Sequence, residues 1–516
     1  MHSELRESMN RMKQNTRASR AAVAGLLGGL ALLAGCHVGP AYRAPAPPAI
    51  TAANYKESTV NFQPADGWKV ASPQDAMLRG KWWEIFNEPE LNTLEEQLLV
   101  DNQNIKASFQ NFMEARAVVA EARAQYWPSV TFGPSWSRSR SSGSLSNSSS
   151  SSGKASSLWA TPIDVSWTPD FWGKIRNQVR EAQYAAQISA ADLENEKLTE
   201  QAALAEYYFE IRGEDQIQQI LDQIVVVDKK SLEVAEGAYT SGTGTQLAVE
   251  QARQTLHSAE AAAESVKLAR GQYEHAVALL LGKPATDFSL PVRPMVYVPP
   301  AIPTGVPAQL VERRPDVAAS ERTLAEANAA IGIGYGAFFP QVTLAASGGL
   351  ESSKLSNLFS APSRTWSIGP SVSQTVFDGG LYRAALHQYV ATYNADLANY
   401  RQTILTAFQQ VEDDLLATRT YSQQIARQKD VVTAAQKTLE LEKSRYDAGV
   451  DPMADVLSEQ TALLSTQESL VSLQVEEMLS AVQLVQALGG GWDRSQLPTP
   501  QQMSVKPPAS SYTLQK

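Results

Sequence analysis

One cysteine and a few carboxylates are the residues of this chain that could do chemistry. Cys36 is the only cysteine among 516 residues. It follows an apolar run over residues 21–33, which a basic stretch precedes. The run is too short to span a bilayer, and its flanks are those of a cleaved export signal. The sequence therefore predicts a signal peptide over residues 1–35 and a mature chain that begins at Cys36.

The residues Leu33-Ala34-Gly35-Cys36 resemble the lipobox of bacterial lipoproteins. The resemblance implies diacylation of the Cys36 thiol and acylation of the new amino terminus. Each acyl chain would contribute about 0.8 kcal/mol per buried methylene to membrane anchoring. His37 follows the cysteine where sorting patterns place Asp for retention, which favours the outer membrane. The alternative is a small free thiol after an ordinary signal peptide.

Four carboxylates lie beside two glycine turns. Gly242 and Gly244 fall in a turn over residues 241–245, and Gly449 falls in a turn over residues 448–452. Glycine readily adopts the left-handed conformation that ends a helix, so each turn is predicted to join two helices. The acids in or just after the turns are Glu250, Asp451, Asp455 and Glu459.

The sequence contains no other catalytic or ligand-binding constellation. The five histidines lack metal-ligand spacing, and the glycines at 332, 334 and 336 lack the strand–turn–helix context of a phosphate loop. The serine tract over residues 139–157 has no general base near it in the sequence. A net charge of −10 provides no basic surface for nucleic acid. We therefore expect no enzyme, no cofactor, no metal and no nucleic acid partner.

The composition favours long helices in a thin wall. Residues 178–204 and 251–281 are rich in Ala, Gln and Glu, so they form helices readily but cannot fill a thick core. No stretch after residue 35 is long and apolar enough for a transmembrane helix. A chain of this composition that crosses a membrane would therefore cross it with strands.

The sequence contains an internal duplication. Tyr239-Thr-Ser-Gly242 matches Tyr446-Asp-Ala-Gly449 at an offset of 207, and Trp127-Pro128 matches Phe339-Pro340 at an offset of 212. The difference places extra residues in the first half, where the tract 139–157 is typical of an exposed loop. An insertion that falls in a loop is what a duplication predicts.

Each half is predicted to have a helix, two extended segments, a helix of roughly 100 Å, a glycine turn and a returning helix. Two short helices stacked end to end would match one long helix in length. The first helix is predicted over residues 92–126. The segments are 1–35, the signal peptide; 36–91, the N-terminal segment; 92–282, the first repeat with strands near 127–137 and 159–169; 283–315, a proline-rich connector; 316–490, the second repeat with strands near 340–350 and 364–377; and 491–516, the tail.

The extended segments alternate apolar and polar residues. Trp366, Ile368 and Val372 alternate with Ser, Gly and Thr, as in membrane β-strands that face lipid on one side and water on the other. Half-buried strands of a soluble sheet would alternate in the same way. Four such strands cannot close a barrel with an open lumen, and hydrocarbon does not tolerate unpaired edges. We therefore expect several chains to pool their strands.

The second long helix carries an apolar seam with steps of four and three. This spacing is the a/d signature of coiled coils, and an ordinary long coiled coil is the alternative interpretation. The seam residues are Leu386, Val390, Tyr393, Leu397, Tyr400, Ile404, Ala407 and Val411.

In their order and spacing, the motifs resemble those of TolC-type outer membrane efflux proteins, and especially the NodT-family lipoproteins of tripartite RND-type efflux systems. The resemblance covers nearly all of the mature sequence. The motifs are Cys36-His-Val-Gly-Pro-Ala-Tyr, Lys81-Trp-Trp-Glu-Ile-Phe86, Glu312-Arg-Arg-Pro-Asp-Val317, Phe338-Phe-Pro340, Phe377-Asp-Gly-Gly380 and Tyr446-Asp-Ala-Gly-Val-Asp451.

The resemblance implies a mostly α fold with a membrane β-barrel. Duplicated helix–strand–strand–helix halves would form, as a homotrimer, a twelve-stranded barrel on a long periplasmic α-helical barrel. An equatorial belt would surround the helices. The belt would be built from residues 61–90, residues 283–314 and the tail after Gly491.

The resemblance also implies a function as the exit duct of a tripartite efflux pump. The protein would lie in the outer membrane, anchored by lipid and spanning it with the barrel. It would pass small molecules such as antibiotics from a periplasmic adaptor and an inner membrane RND-type pump to the exterior. Alternatives are a duct for type I protein secretion, a periplasmic adaptor and a lipid-anchored hydrolase. Adaptors have one hairpin and β-rich lipoyl modules, whereas this chain has duplicated helices and no such modules.

Finally, the resemblance places the two turns at the periplasmic tip. Adaptor docking would involve Gly242, Gly244, Gly449 and Val450. The gate acids would be Asp451, Asp455, Glu459 and Glu250, each forming a ring of three like charges in the trimer. Ser458 and Ala454 depart from the family pattern, so the gate here is expected to be set differently. Glu206, in mid-helix, is expected to have little influence.

Overall fold

The computed structural model describes residues 38–48, 55–57, 80–140, 155–302 and 313–505. The helices in these residues are α1 (Pro89–Asp101), α2 (Gln103–Ala124), α3 (Lys174–Thr240), α4 (Gln246–Leu280), α5 (Pro315–Gly336), α6 (Leu381–Asp447), α7 (Met453–Ala487) and α8 (Pro500–Met503). The strands are β1 (Ser129–Phe132), β2 (Ser135–Ser139), β3 (Ser156–Ala160), β4 (Ile163–Trp167), β5 (Gln341–Ser352) and β6 (Arg364–Ser373).

The two halves of the chain have helices of matching length. Helices α3 and α6 contain 67 residues each, and α4 and α7 contain 35 each. At 1.5 Å per residue, the long helices span roughly 100 Å. The mostly helical fold with duplicated halves is thereby confirmed.

The first helix of the first half is interrupted. Asn102 has φ −59° and ψ 129°, which is outside the helical range, and it separates α1 from α2. Its side chain accepts a hydrogen bond of 2.9 Å from the backbone N–H of Ile105 and so caps α2. The prediction of one continuous helix over residues 92–126 is wrong because Asn102 acts as a cap.

Short helices stack end to end in both halves, and side chains bond across the joints. At the first joint, Asn102 Nδ2 donates to the Leu280 carbonyl oxygen at 2.9 Å. At the second, Arg314 Nη1 donates to the Ala487 carbonyl oxygen at 2.9 Å. These bonds satisfy carbonyls that a helix end leaves without partners. Arg314 is part of the Arg-Arg-Pro-Asp motif, so this motif ties the start of α5 to the end of α7.

The helices of one chain form a wall of four lines. Helix α3 packs against α2 and α4 on one flank and against α5 and α7 on the other, and α6 packs against α5 and α7. The apolar seam of α6 is buried only at Tyr400, Ile404, Ala407 and Val411, whereas Val390 is 38% exposed. The α6 flank therefore retains apolar surface that the described residues do not cover.

The strands form one antiparallel sheet with four lines. β1 pairs with β4, β2 with β3, both β3 and β4 with β5, and β5 with β6. Pro134 and Pro162 interrupt the first two lines, because proline donates no ladder hydrogen bond. The predicted strands near 127–137 and 159–169 are therefore two pieces each. The last strand ends at Ser373, short of the predicted end.

Within the described residues, the sheet is open at both edges and its last strand is uncovered. All ten residues of β6 are exposed, and Trp366 and Ile368 are exposed at 78% and 76%. Among the described residues, neither the β1–β2 line nor β6 has a partner strand on its outer edge. A sheet of this kind is stable in a membrane only when other strands complete it.

The largest apolar core covers one face of α3 halfway along its length. Trp82, Trp83 and Phe86, in a 3₁₀ helix (Trp82–Phe86), belong to this core together with Leu204 and Phe209 of α3. The rings of Phe86 and Phe209 lie 5.0 Å apart. Residues of the connector after α4 complete this core. Segments outside the four helical lines therefore cover one side of the helices there.

The tail does not stay at this core. Arg123 Nη1 donates to the Ser504 carbonyl oxygen at 2.6 Å, and Arg116 Nη2 donates to the Val505 carbonyl oxygen at 2.7 Å. Ser504 Oγ also accepts from Gln183 Nε2 of α3 at 2.7 Å. Residues 504 and 505 therefore lie against α2 and α3, and the place of the tail in a belt stays a prediction.

Candidate functional site: the helical tips and the tunnel wall

The first tip is the turn between α3 and α4. Gly242 adopts φ +75°, and Gly244 lies so close to α3 that an added Cβ would be 2.9 Å from the Ala238 Cβ. Thr245 caps α4 by accepting from the Ala248 N–H at 3.2 Å. Leu247 is 67% exposed at the start of α4. Both glycines are thus required by the backbone geometry of this turn.

The second tip is the turn between α6 and α7. Gly449 adopts φ +72°, and Val450 is 65% exposed. Arg445 donates to both oxygens of Asp451, with Nη2 3.0 Å from Oδ1. This hydrogen-bonded guanidinium lowers the pKa of Asp451. The Asp451 charge is therefore partly neutralised within its own chain.

Two further carboxylates surround this pair. Oxygens of Glu442, Asp451 and Asp455 all lie within 4.8 Å of one another, and they are the one group in the described ranges close enough to share a metal ion. Desolvation, and then the neighbouring Asp451, raises the pKa of Glu442. Arg445 also lies 3.9 Å from Glu442. The structure thus adds Glu442 and Arg445 to the residues predicted at this tip.

The other predicted acids are placed differently. Glu250 lies 3.0 Å from Arg253, which also lies 3.3 Å from Glu236. Glu250 thus belongs to a salt-bridged cluster on the first hairpin rather than to the group at Asp451. Glu459 lies one helical turn beyond Asp455 and is half-buried. Of the four predicted acids, the structure brings only Asp451 and Asp455 into one group.

A line of acids lies on α3, of which the sequence analysis singles out only Glu206. Glu206, Glu210 and Glu214 recur every four residues and are half-buried. At 100° per residue, Glu206 and Glu210 lie about 120–160° from Leu204 and Tyr208, which are fully buried in the apolar core, whereas Glu214 lies about 80° from Leu204. The four-residue spacing is the signal in the sequence that indicates this line, although Glu is common on solvated helix faces.

Burial and mutual repulsion raise the pKa of several carboxyls in the wall. Burial, with Glu214 and other neighbouring acids, raises the pKa of Glu210 to about 7. Burial and Asp413 raise the pKa of Asp414 on α6 to about 7. Burial and Glu181 raise the pKa of Glu326 on α5 to about 7. These groups are therefore partly protonated near neutral pH.

A buried charge network joins the apolar core to the wall. Arg212 of α3 is 1% exposed and donates to Glu90 at 2.5 Å, to Asp215 at 3.1 Å and to the Pro291 carbonyl oxygen at 2.7 Å. Asp215 also accepts from Arg270 Nε at 2.6 Å. One cation on the long helix thus connects α1, α3 and the connector.

Cys36 lies outside the described residues, but the chain just after it is placed. The Val38 N–H donates to the Trp172 carbonyl oxygen at 3.3 Å, and Trp172 Nε1 donates to the Pro340 carbonyl oxygen at 2.8 Å. Both partners lie where the strands meet the helices. The N-terminal segment therefore starts beside the sheet. Among the described helices, none has the length and apolar character of a membrane span.

The described part of the chain is thus a helical wall that ends in an open sheet at one end and in two exposed turns at the other. The family model described as outer membrane efflux protein matches residues 94–283 and 306–490. The chain belongs to the outer membrane efflux protein family.

Individual relatives agree with this assignment. The solvent efflux pump outer membrane protein SrpC of Pseudomonas putida is 31% identical over 471 residues, covering 90% of this chain and 98% of its own. The outer-membrane channel OprN matches with a TM-score of 0.77 at 27% identity, covering 89% of this chain and 100% of its own. The CmeC outer membrane channel of Campylobacter jejuni has a TM-score of 0.80 at 22% identity, covering 89% and 96%, and supports the fold alone.

These likenesses confirm the predicted class, location and role. The chain is an outer membrane component of an efflux system with a TolC-like fold. The relatives are channel proteins rather than enzymes. They do not favour the type I secretion alternative.

Proposed function

We propose that three copies of this chain form one duct, with a twelve-stranded barrel above a tunnel of twelve helical lines. The support is the sheet: four strand lines whose two outer edges are open in the described residues, with β6 exposed throughout, cannot remain in a membrane as a monomer. The uncovered apolar flank of α6, with Leu405 50% exposed, provides surface for a neighbouring chain. This open sheet is the observation that carries the proposal.

The duct receives its cargo at the helical tips, which dock on a periplasmic adaptor that joins them to an inner membrane RND-type pump. Gly242, Gly244 and Gly449 shape the turns, and Val450 is exposed there. These turns lie roughly 100 Å from the strands, at the end that would face the pump. Exposed apolar side chains on a tight turn suit recognition by a partner helix.

The cargo consists of small organic molecules. The relatives are named for efflux of solvents, toluene and antibiotics. The inner membrane pump selects among such molecules, and the duct conducts them passively. The overall charge of −10 is unsuited to nucleic acid.

Asp451 and Asp455, with Glu459 and Glu250 further along, control the opening at the tip. Arg445 holds Asp451 within each chain, so the gate depends on an internal ion pair as well as on repulsion between chains. Three-fold symmetry would multiply each uncompensated carboxylate into a ring, which favours cations.

Acylated Cys36 anchors the mature chain to the outer membrane. The placement of Val38 beside Trp172 supports this, because it leaves Cys36 two residues from the strand–helix junction. Labelling with a fatty acid analogue should mark the wild type and not Cys36→Ser. Absence of label on the wild type would refute the anchor.

The duct function is tested in a strain that lacks this gene but retains the adaptor and pump. The wild-type protein should restore antibiotic export, and Val450→Asp should restore little because a charge at the tip blocks adaptor docking. The matched control is Leu355→Asp, which places the same charge on an exposed aliphatic position between the strands. Equal export by both variants would contradict the docking proposal, and no export by the wild type would contradict the duct.

A further inference from the structure

A polar cavity lies inside the wall at the second helix joint. It has a volume of about 340 Å³ and is bounded by α3, α6, the start of α5 and the end of α7. The volume is in the range of small-molecule sites. Its lining includes Asn195, Glu206, Arg314, Gln410, Asp414 and Gln483.

The polar lining that α3 contributes to the cavity comes from Asn195 and Glu206, beside Leu198 of the apolar core. Asn195 and Glu206 are eleven residues apart, which returns to almost the same helix face. Leu204 and Tyr208, on the opposite face, are fully buried in the core around Trp82. Glu206 therefore lines the cavity and not the core around Trp82.

The cavity has a surplus of negative charge. Arg314 is already engaged, because its Nε and Nη2 donate to Asp316 at 3.0 and 2.7 Å and its Nη1 donates to Ala487. Among the described residues that line the cavity, Arg314 is the one cation, against Glu206, Asp414 and Asp316. The glutamine amides around Glu206 and Asp414 can donate or accept.

We propose that this cavity is a binding station for organic cations, such as protonated amines and quaternary ammonium compounds, on their way through the duct. Carboxylates would neutralise the ligand charge, and the amides of Gln410 and Gln483 would bond its polar groups. A hydrated cation fits the polar lining, whereas an anion would meet Glu206 and Asp414. This inference names a cargo class and rests on the proposed duct function.

Binding of ethidium, a fluorescent organic cation, to the purified full-length protein in detergent tests the proposal without requiring conduction. The double variant Glu206→Gln/Asp414→Asn should bind about tenfold more weakly, because it keeps both shapes and removes both charges. The control Glu264→Gln removes an exposed carboxylate that pairs with Lys267 on α4, and it should bind like the wild type. Gln410→Glu adds a carboxylate and should tighten binding.

Affinity should also rise from pH 6 to pH 8. Asp414 faces Glu206 of α3, Arg314 and Asp316 of α5, Asp413 of its own helix and the neutral amide of Gln483 on α7. Burial raises the pKa of Asp414 to about 7, so its charge is lost on acidification. The double variant should show a flat profile.

Three outcomes would overturn the inference: equal ethidium affinity in the double variant and the wild type, equal loss in Glu264→Gln, or binding of anionic fluorescein as tight as that of ethidium. If the protein bound ethidium as expected but failed to restore export, the cavity would stand and the duct proposal would fall. If the protein restored export but did not bind ethidium specifically, the duct proposal would stand and the cavity proposal would fall.

Discussion

Replacing Arg212 with Met should loosen the contact between α1 and the long helix α3. Arg212 is 1% exposed and bonds Glu90, Asp215 and the Pro291 carbonyl. Its guanidinium also lies 4.9 Å from the centre of the Tyr208 ring. Methionine retains much of the volume but none of these bonds, so two carboxylates lose their shared partner.

The free-energy cost of Arg212→Met depends on the partners that Asp215 and Glu90 keep in the variant. Removing one partner of a buried ion pair costs about 3–5 kcal/mol. Asp215 keeps Arg270 at 2.6 Å and the Arg293 N–H at 2.9 Å, and Glu90 is 27% exposed and can be hydrated. We therefore expect the lower end, about 3 kcal/mol, which is roughly a hundredfold change in a local opening equilibrium.

Hydrogen–deuterium exchange of the amides in residues 82–101 measures this opening directly. Exchange there should accelerate roughly a hundredfold in Arg212→Met. The matched control is Arg253→Met, which removes an exposed arginine with two carboxylate partners and should cost about 0–1 kcal/mol. Equal exchange in the two variants would refute the view that the buried network holds this region to the wall.

Three further predictions concern other parts of the chain. Gly332→Ala should destabilise the protein by about 1–3 kcal/mol because its Cβ would lie 2.4 Å from Asn177 Nδ2, whereas Gly271→Ala, with free space around it, should not; thermal unfolding compares them. Burial raises the pKa of Glu95 well above its usual value. The contribution of protonated Glu95 to the free energy of unfolding is therefore full below its unfolded pKa of about 4.3, and it is lost as pH rises through the folded pKa. Glu95→Gln should therefore exceed the wild type in stability increasingly above about pH 5, and a constant difference across a pH series of unfolding midpoints would contradict this. Arg445→Gln should free Asp451 and increase cation selectivity and leak in planar bilayers, whereas Lys437→Gln, which removes an exposed pair with Glu440, should change neither.

The sequence predicted those features that local rules determine. The long helices end at glycines in the left-handed conformation, and Gly242 and Gly449 marked both tips. Pro134 and Pro162 also follow a local rule, because proline interrupts a strand even where the apolar alternation continues across it. Asn102 caps a helix although its position within a long helical pattern indicates an interior residue.

Other features depend on contacts between distant segments. Arg212 meets Glu90 and Pro291 only after the connector has folded against α3, and no spacing in the sequence indicates that arrangement. Glu206 becomes part of a cavity because α6 and α7 bring Asp414 and Gln483 to it. The pairing of Arg445 with Asp451 likewise depends on the path of the turn, so the charge of the tip could not be counted from its acids alone.

The proposed duct of three chains across the outer membrane can be tested by the conductance, in planar lipid bilayers, of purified protein whose native mass has been determined. We predict a native mass of three chains and discrete conductance steps that become more frequent in Arg445→Gln. A stable monomer, or trimers that pass no current even with the tip ion pair removed, would contradict it.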